Sequence, residues 1–161
     1  MSRIKGNPFN DKVPRLADEY KLKPKSSAFL HLEMATVFLA HSLEQFLKDQ
    51  AIFACILPET ITRGMQHEPF RRQISLTDSD SKISADPDSI WIIDKDTFNV
   101  GAAVLFGKKN RRKSPLTRLP GLYISEFNQT EISLHPSNFG GRYTWSTSEN
   151  QSPICLLYTS P

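Results

Sequence analysis

The sequence predicts an α/β fold, and three observations carry that expectation. Residues 28–49 place Phe29, Leu32, Ala35, Leu39, Leu43, Phe46 and Leu47 at helical spacing. The run from Ala51 to Leu57 is continuously apolar and stops at Pro58. After a helix, such a run reads as a buried strand of the kind found in parallel sheets. Ile90–Ile93 and Val100–Phe106 are two further apolar segments, joined by a polar connection that includes Asp94, Asp96 and Asn99. That pattern predicts an antiparallel hairpin with Phe98 at its mouth.

Each element follows from local chemistry. Residues 1–27 are polar and carry Pro8, Pro14 and Pro24, so they read as loop. Ser26 and Ser27 can cap the helix over 28–49, and Lys48 sits favourably near its C-terminus. Val37 and Phe38 widen its apolar face, which predicts packing against a sheet. Residues 59–74 form a second helix through Ile61, Met65, Phe70 and Ile74, made irregular or split by Gly64 and Pro69. Arg71 and Arg72 read as charges on its surface. Residues 75–88 are rich in Ser and Asp and read as loop. From Lys108 the character changes. A basic run of Lys108, Lys109, Arg111, Arg112 and Lys113 leads into a segment with Pro115, Pro120, Pro136, Gly140 and Gly141. Leu122–Ile124 and Glu131–Leu134 are its candidate short strands. The expected organisation is residues 1–113 as one unit and 114–154 as the start of a second.

Composition narrows the function classes. The chain has 161 residues, 39% of them hydrophobic, and a formal net charge of +3. Its pI of about 8.9 permits a nucleic-acid partner without requiring one. The two cysteines, Cys55 and Cys155, have no metal or disulfide spacing. His31, His41, His67 and His135 form no ligand-spaced cluster, so no metal is expected. No stretch is apolar enough to span a membrane, and the N-terminus lacks the apolar core of a signal peptide, leaving the cytoplasm as the default location.

The segment Gly6-Asn7-Pro8-Phe9 supplies candidate chemistry, although Asn-Pro is also a common way to start a turn. It resembles the catalytic motif of amino-group DNA methyltransferases, in which Asp, Asn or Ser precedes two prolines and an aromatic residue. The order of the following elements is also similar to that family. A long amphipathic helix leads to a strand ending Ile56-Leu57-Pro58, then to a helix with Gly64 and Arg71, and then to a hairpin with Phe98 that ends in Lys108 and Lys109. The resemblance covers about residues 3–113.

This resemblance implies part of a Rossmann-like methyltransferase sheet, with one parallel strand, an antiparallel terminal hairpin and flanking helices. It also implies methyl transfer from S-adenosylmethionine to adenine N6 in DNA, in a restriction–modification context. Reaching an exocyclic amine inside a duplex requires flipping the base out. Asn7 would accept a hydrogen bond from that amine through its side chain, Pro8 through its carbonyl, and Phe9 would stack on the base. Positioning and electrostatics would do most of the work. Phe98 would border the base pocket or close the hairpin core. Lys108, Lys109, Arg111 and Arg112 would contact phosphates or form a solvated hairpin end. Pro58 would close its strand at the carboxyl end, where ligand crevices lie, with Glu59 and Thr60 facing it or Thr60 capping a helix.

The chain departs from the family pattern by having one proline between Asn7 and Phe9, which shortens the loop by a residue. It also lacks a Gly-rich turn in a strand–helix frame, so the half that binds the methyl donor is expected to lie outside it and the chain to be inactive alone. Cys155–Pro161 matches an in-frame translation of a transposon-derived sequencing adapter and is set aside from fold reasoning. Two other readings stand beside the methyltransferase. One is a non-catalytic DNA-binding remnant; the other is an unrelated small α/β protein. RNA or a protein amide is an alternative target amine.

Overall fold

The structure is a computed structural model that describes residues 8–24, 34–76, 81–111 and 115–147. It is a mixed α/β fold built on one open six-stranded sheet. Helix α1 spans Pro8–Glu19 and α2 spans Met34–Phe46; strand β1 follows at Ile52–Pro58. Two single 3₁₀ turns, Glu59–Thr62 and Met65–His67, lead into α3 at Glu68–Ser75. Then come β2 (Ala85–Ile93), the one-turn α4 (Lys95–Phe98) and β3 (Ala102–Lys109). Strands β4 (Leu119–Ile124), β5 (Gln129–Phe139) and β6 (Arg142–Thr147) complete the sheet in the order β1-β3-β2-β4-β5-β6.

The expected hairpin is present as β2 and β3, paired antiparallel, with Ile90 opposite Leu105 and Ile92 opposite Ala103. The expected buried parallel strand is corrected. β1 pairs antiparallel with β3, Cys55 facing Leu105, and it forms one edge of the sheet. Only alternate residues are covered: Phe53 and Leu57 are buried, while Ile52 and Ile56 are 83% and 74% exposed. A run of apolar residues states that a strand can be buried on both faces; it does not say whether both faces are covered. β1, β2 and β4 run in one direction, and the single parallel pair is β2 with β4.

Helices occupy one side of this sheet. Phe53, Leu57, Ala103, Leu105, Ile90, Ile92, Leu119 and Leu134 share a core with Leu39 and Leu43 of α2, Ala17 of α1, and Phe70 and Ile74 of α3. The opposite face carries Ile52, Ala54 and Ile56 beside Val104, Phe106, Trp91 and Leu122, and the Trp91 and Phe106 rings lie 4.8 Å apart. Phe38 and Phe46 correct the expected width of the α2 face, being 68% and 76% exposed.

Helix α1 replaces the middle of the loop expected over residues 1–27, of which residues 1–7 and 25–27 lie outside the described residues. Pro8 stands at its first position, where the missing N–H costs no helical hydrogen bond. Val13, Leu16, Ala17 and Tyr20 follow at the 3–4 spacing of a buried stripe and outweigh Pro14 inside the helix. The loop expected up to residue 88 ends earlier, because β2 already begins at Ala85. The split of the second helix at Gly64 matches expectation.

The candidate strands after 114 belong to the same sheet as those before it, so the sheet crosses the position expected to separate two units. Gly121 makes that crossing possible: a Cβ there would meet the Ile90 carbonyl oxygen at 1.9 Å. Strand β6 lies beyond the two candidate short strands. Gly140 and Gly141, at φ +54° and +77°, form the turn between β5 and β6. Pro136 lies beyond the stretch of β5 that pairs with β4, so its missing N–H interrupts no β4 ladder.

Candidate functional site

The carboxyl ends of β1, β2 and β4 meet at one end of the sheet, and the candidate site lies there. Such ends are where open α/β sheets hold ligands. β1 delivers Pro58 and Glu59. The Glu59 N–H donates to the Gly101 carbonyl at 3.1 Å, and the Glu59 carboxylate lies so close over Gly101 that a Cβ there would meet Oε2 at 2.0 Å. A glycine before β3 is therefore what admits the Glu59 side chain. β2 delivers Asp94, which accepts from the Lys95 N–H at 2.6 Å and caps α4. β4 delivers Tyr123, whose hydroxyl donates to Asp94 Oδ2, while the Asp94 N–H donates to the Ile124 carbonyl at 2.9 Å.

These groups influence one another's protonation. Burial, and then the nearby Asp94 carboxylate, push the Glu59 carboxyl above its ordinary range. Burial raises the Tyr123 phenol, and its bond to Asp94 raises it further, so the phenol stays protonated as a donor. The arrangement offers two carboxyl groups and a fixed phenol around the end of a sheet, suited to binding through hydrogen bonds.

The expected site residues are distributed as follows. Asn7 lies outside the described residues. Pro8 and Phe9 open α1, and their side chains fall outside the description. Phe98 lies in α4, within the connection between β2 and β3, at the same end of the sheet as Pro58. The basic run lies at the other end of β3, a strand of eight residues, roughly 23 Å long at about 3.3 Å per residue. Phe98 and the cations are thus separated by a full strand length rather than gathered together.

Lys109 is corrected outright as a phosphate contact. It is 2% exposed, and its Nζ donates to the carbonyls of Leu43, Glu44 and Leu47 at 2.7, 3.3 and 3.1 Å, with Glu44 Oε2 at 3.7 Å. It closes the C-terminus of α2. Lys108 is half-buried on the opposite face and Arg111 is exposed, its N–H donating to Asp49 Oδ1 at 3.4 Å. Arg112 lies outside the described residues.

Arg71 is likewise corrected from a surface charge to a buried one, at 0% exposure. Arg72 remains at the surface, bonded to Glu68 Oε1 at 2.9 Å. Thr60 turns its hydroxyl to His67 Nε2 at 3.0 Å rather than capping a helix. His67 is fully buried, its Nδ1 without a hydrogen-bond partner among the described residues. Burial, and then Arg71, lower its pKa to about 4.

A folded-state pKa below the ordinary value of 6.5 means that the unfolded chain binds the proton more readily. The stability contributed by neutral His67 is therefore complete above about pH 6.5 and lost progressively as pH falls toward 4. The urea midpoint should decline across that window, and His67→Gln should flatten the decline. A midpoint equally steep in both proteins would remove His67 from the acid response.

No family model and no curated protein matches the chain. Among solved structures it is similar to a chain of the cryo-EM structure of a DrdV–DNA complex, with a TM-score of 0.50 and 15% identity. The match covers 81% of this chain and 15% of that chain, so this chain spans a small part of the length of its structural neighbour. The likeness is one of fold. Among the described residues, no helix is long and apolar enough to cross a membrane.

Proposed function

We propose that the chain is part of an enzyme that transfers a methyl group from S-adenosylmethionine to adenine N6 in DNA. The observation that carries this reading is the arrangement of β1, β3 and β2. Only β3 runs against the other two, so the Ile56-Leu57-Pro58 terminus and the Phe98 connection open at the same end of the sheet. That arrangement suits the two roles expected of them from the sequence, Pro58 closing its strand at the ligand end of the sheet and Phe98 bordering the base pocket. The fold likeness to part of a protein described in complex with DNA agrees with DNA as the partner.

The described residues do not fit a site for the methyl donor. The adjacent glycines Gly140 and Gly141 turn a hairpin and precede no helix. The donor would be held by a companion segment, and the residues of this chain would orient the acceptor base. Asn7 would hold the amine, Phe9 and Phe98 would contact the ring, and Lys108 and Arg111 would contribute to phosphate binding at the far end of β3.

The test is methyl transfer from radiolabelled S-adenosylmethionine to duplex DNA by a longer protein that joins this chain to a donor-binding half. Asn7→Ala should lower turnover by roughly 10²–10³-fold, the scale of losing one positioned hydrogen-bonding group, with donor affinity unchanged. Turnover near that of the parent would take Asn7 out of the mechanism.

A further inference from the structure

Arg71 sits where three parts of the chain meet. Its Nε donates to the Tyr143 carbonyl of β6 at 2.8 Å. Its two terminal nitrogens donate to the carbonyls of Ile61 and Gly64, both at 2.9 Å. The guanidinium is fully buried and, among the described residues, has no carboxylate within ion-pair distance. A buried cation held only by backbone oxygens is costly to keep, and it persists where all its donors are satisfied. The planar fork matters because it aims donors in two directions at once, which a lysine ammonium cannot match.

The two targets of that fork are different kinds of structure. Ile61 and Gly64 belong to the turn that begins at Glu59, the residue that follows β1. Tyr143 belongs to the far edge strand of the sheet. α3 is fastened to the same strand twice more, by Arg72 at 5.8 Å over the Tyr143 ring and by Trp145 Nε1 donating to Ser75 Oγ at 3.4 Å.

We infer that Arg71 is a positioning residue that couples the β5–β6 hairpin to the Glu59–Gly64 turn at the carboxyl end of β1. Anything that engages the hairpin is then felt in the Glu59–Gly64 turn, and by reciprocity anything bound at that turn is felt at the hairpin. The inference rests on the bonds of Arg71 and stands apart from the methyl-transfer reading.

A remote perturbation tests it. Gly141 has φ +77° and nothing within 4 Å of where a Cβ would lie, so Gly141→Val strains the hairpin turn without touching the Glu59–Gly64 turn. The readout is hydrogen exchange of the Arg63 and Gly64 amides, both of which donate to the Thr60 carbonyl. Gly141→Val should speed their exchange about threefold or more in the full chain, and should add almost nothing in an Arg71→Met background, as a double-mutant cycle measures coupling. Arg71→Lys provides a second background that keeps the charge, and there the increment should be reduced, because lysine cannot bridge both targets. An equal increment with Arg, Met and Lys at position 71 would mean that the effect travels by global destabilisation, and the inference would fail. It would also fail if Gly141→Val left the two amides unchanged in the native background.

Discussion

Replacing Lys109 with glutamate should unfold the chain, whereas the same change at Lys108 should leave it folded. The two lysines are adjacent in a basic run but point to opposite faces of β3. Lys109 Nζ is surrounded by three carbonyl oxygens from the last turn of α2 and the residue beyond it. A carboxylate there would face those same oxygens and the Glu44 side chain, and it would find no donor. The expected loss is on the order of 3–5 kcal/mol, the scale of an uncompensated buried charge. Against a typical total of about 5–15 kcal/mol, that is enough to depopulate the native state. Lys109→Met should cost less, roughly 1–3 kcal/mol, because it strands carbonyls without adding a charge. Urea denaturation followed by tryptophan emission, with buried Trp145 as the reporter that becomes exposed in a Trp91→Phe background, distinguishes the three variants. A Lys109→Glu midpoint equal to that of the parent would contradict the structure's placement of this side chain.

The second large effect concerns association. β1 is an edge strand with no charged residue, and Ile52 and Ile56 project from it at 83% and 74% exposure. An edge of this kind invites pairing with another strand, and natural edges are commonly blunted by a charge. The isolated chain should therefore self-associate through β1 at micromolar concentrations. Ile52→Lys with Ile56→Lys should return it to a monomer without a change in far-ultraviolet circular dichroism, since neither side chain belongs to the core. Sedimentation velocity checks the expectation. A parent chain that sediments as a monomer at its highest soluble concentration would show that the edge is protected.

How far the sequence reveals this molecule depends on the distance over which each feature is determined. α2, the β2–β3 hairpin and the break at Gly64 are set by neighbours a few residues apart, so periodicity and turn chemistry reveal them. The direction in which β1 pairs is determined by β3, some fifty residues later, and nothing within Ile52–Pro58 records it. α1 is hidden because Pro8 and Pro14 carry a strong local signal that the stripe of Val13, Leu16, Ala17 and Tyr20 overrides.

The site follows the same rule. Glu59 is visible as the residue after a strand-ending proline. Its partners Asp94 and Tyr123 arrive from two other strands and carry no motif. Arg71 and Lys109 look like surface charges because their acceptors are backbone carbonyls, which every residue possesses. The one available signal is position: each lies within an otherwise apolar periodic pattern, Arg71 beside Phe70 and Ile74, and Lys109 in step with Ala103 and Leu105.

The seam between β2 and β4 also fixes the mechanics of the chain. Four register pairs run from Ile90 with Gly121 to Ile93 with Ile124, and the close approach at Gly121 leaves no room for a pivot. A torque applied beyond β6 is absorbed as twist of one continuous sheet rather than as rotation of one body about another.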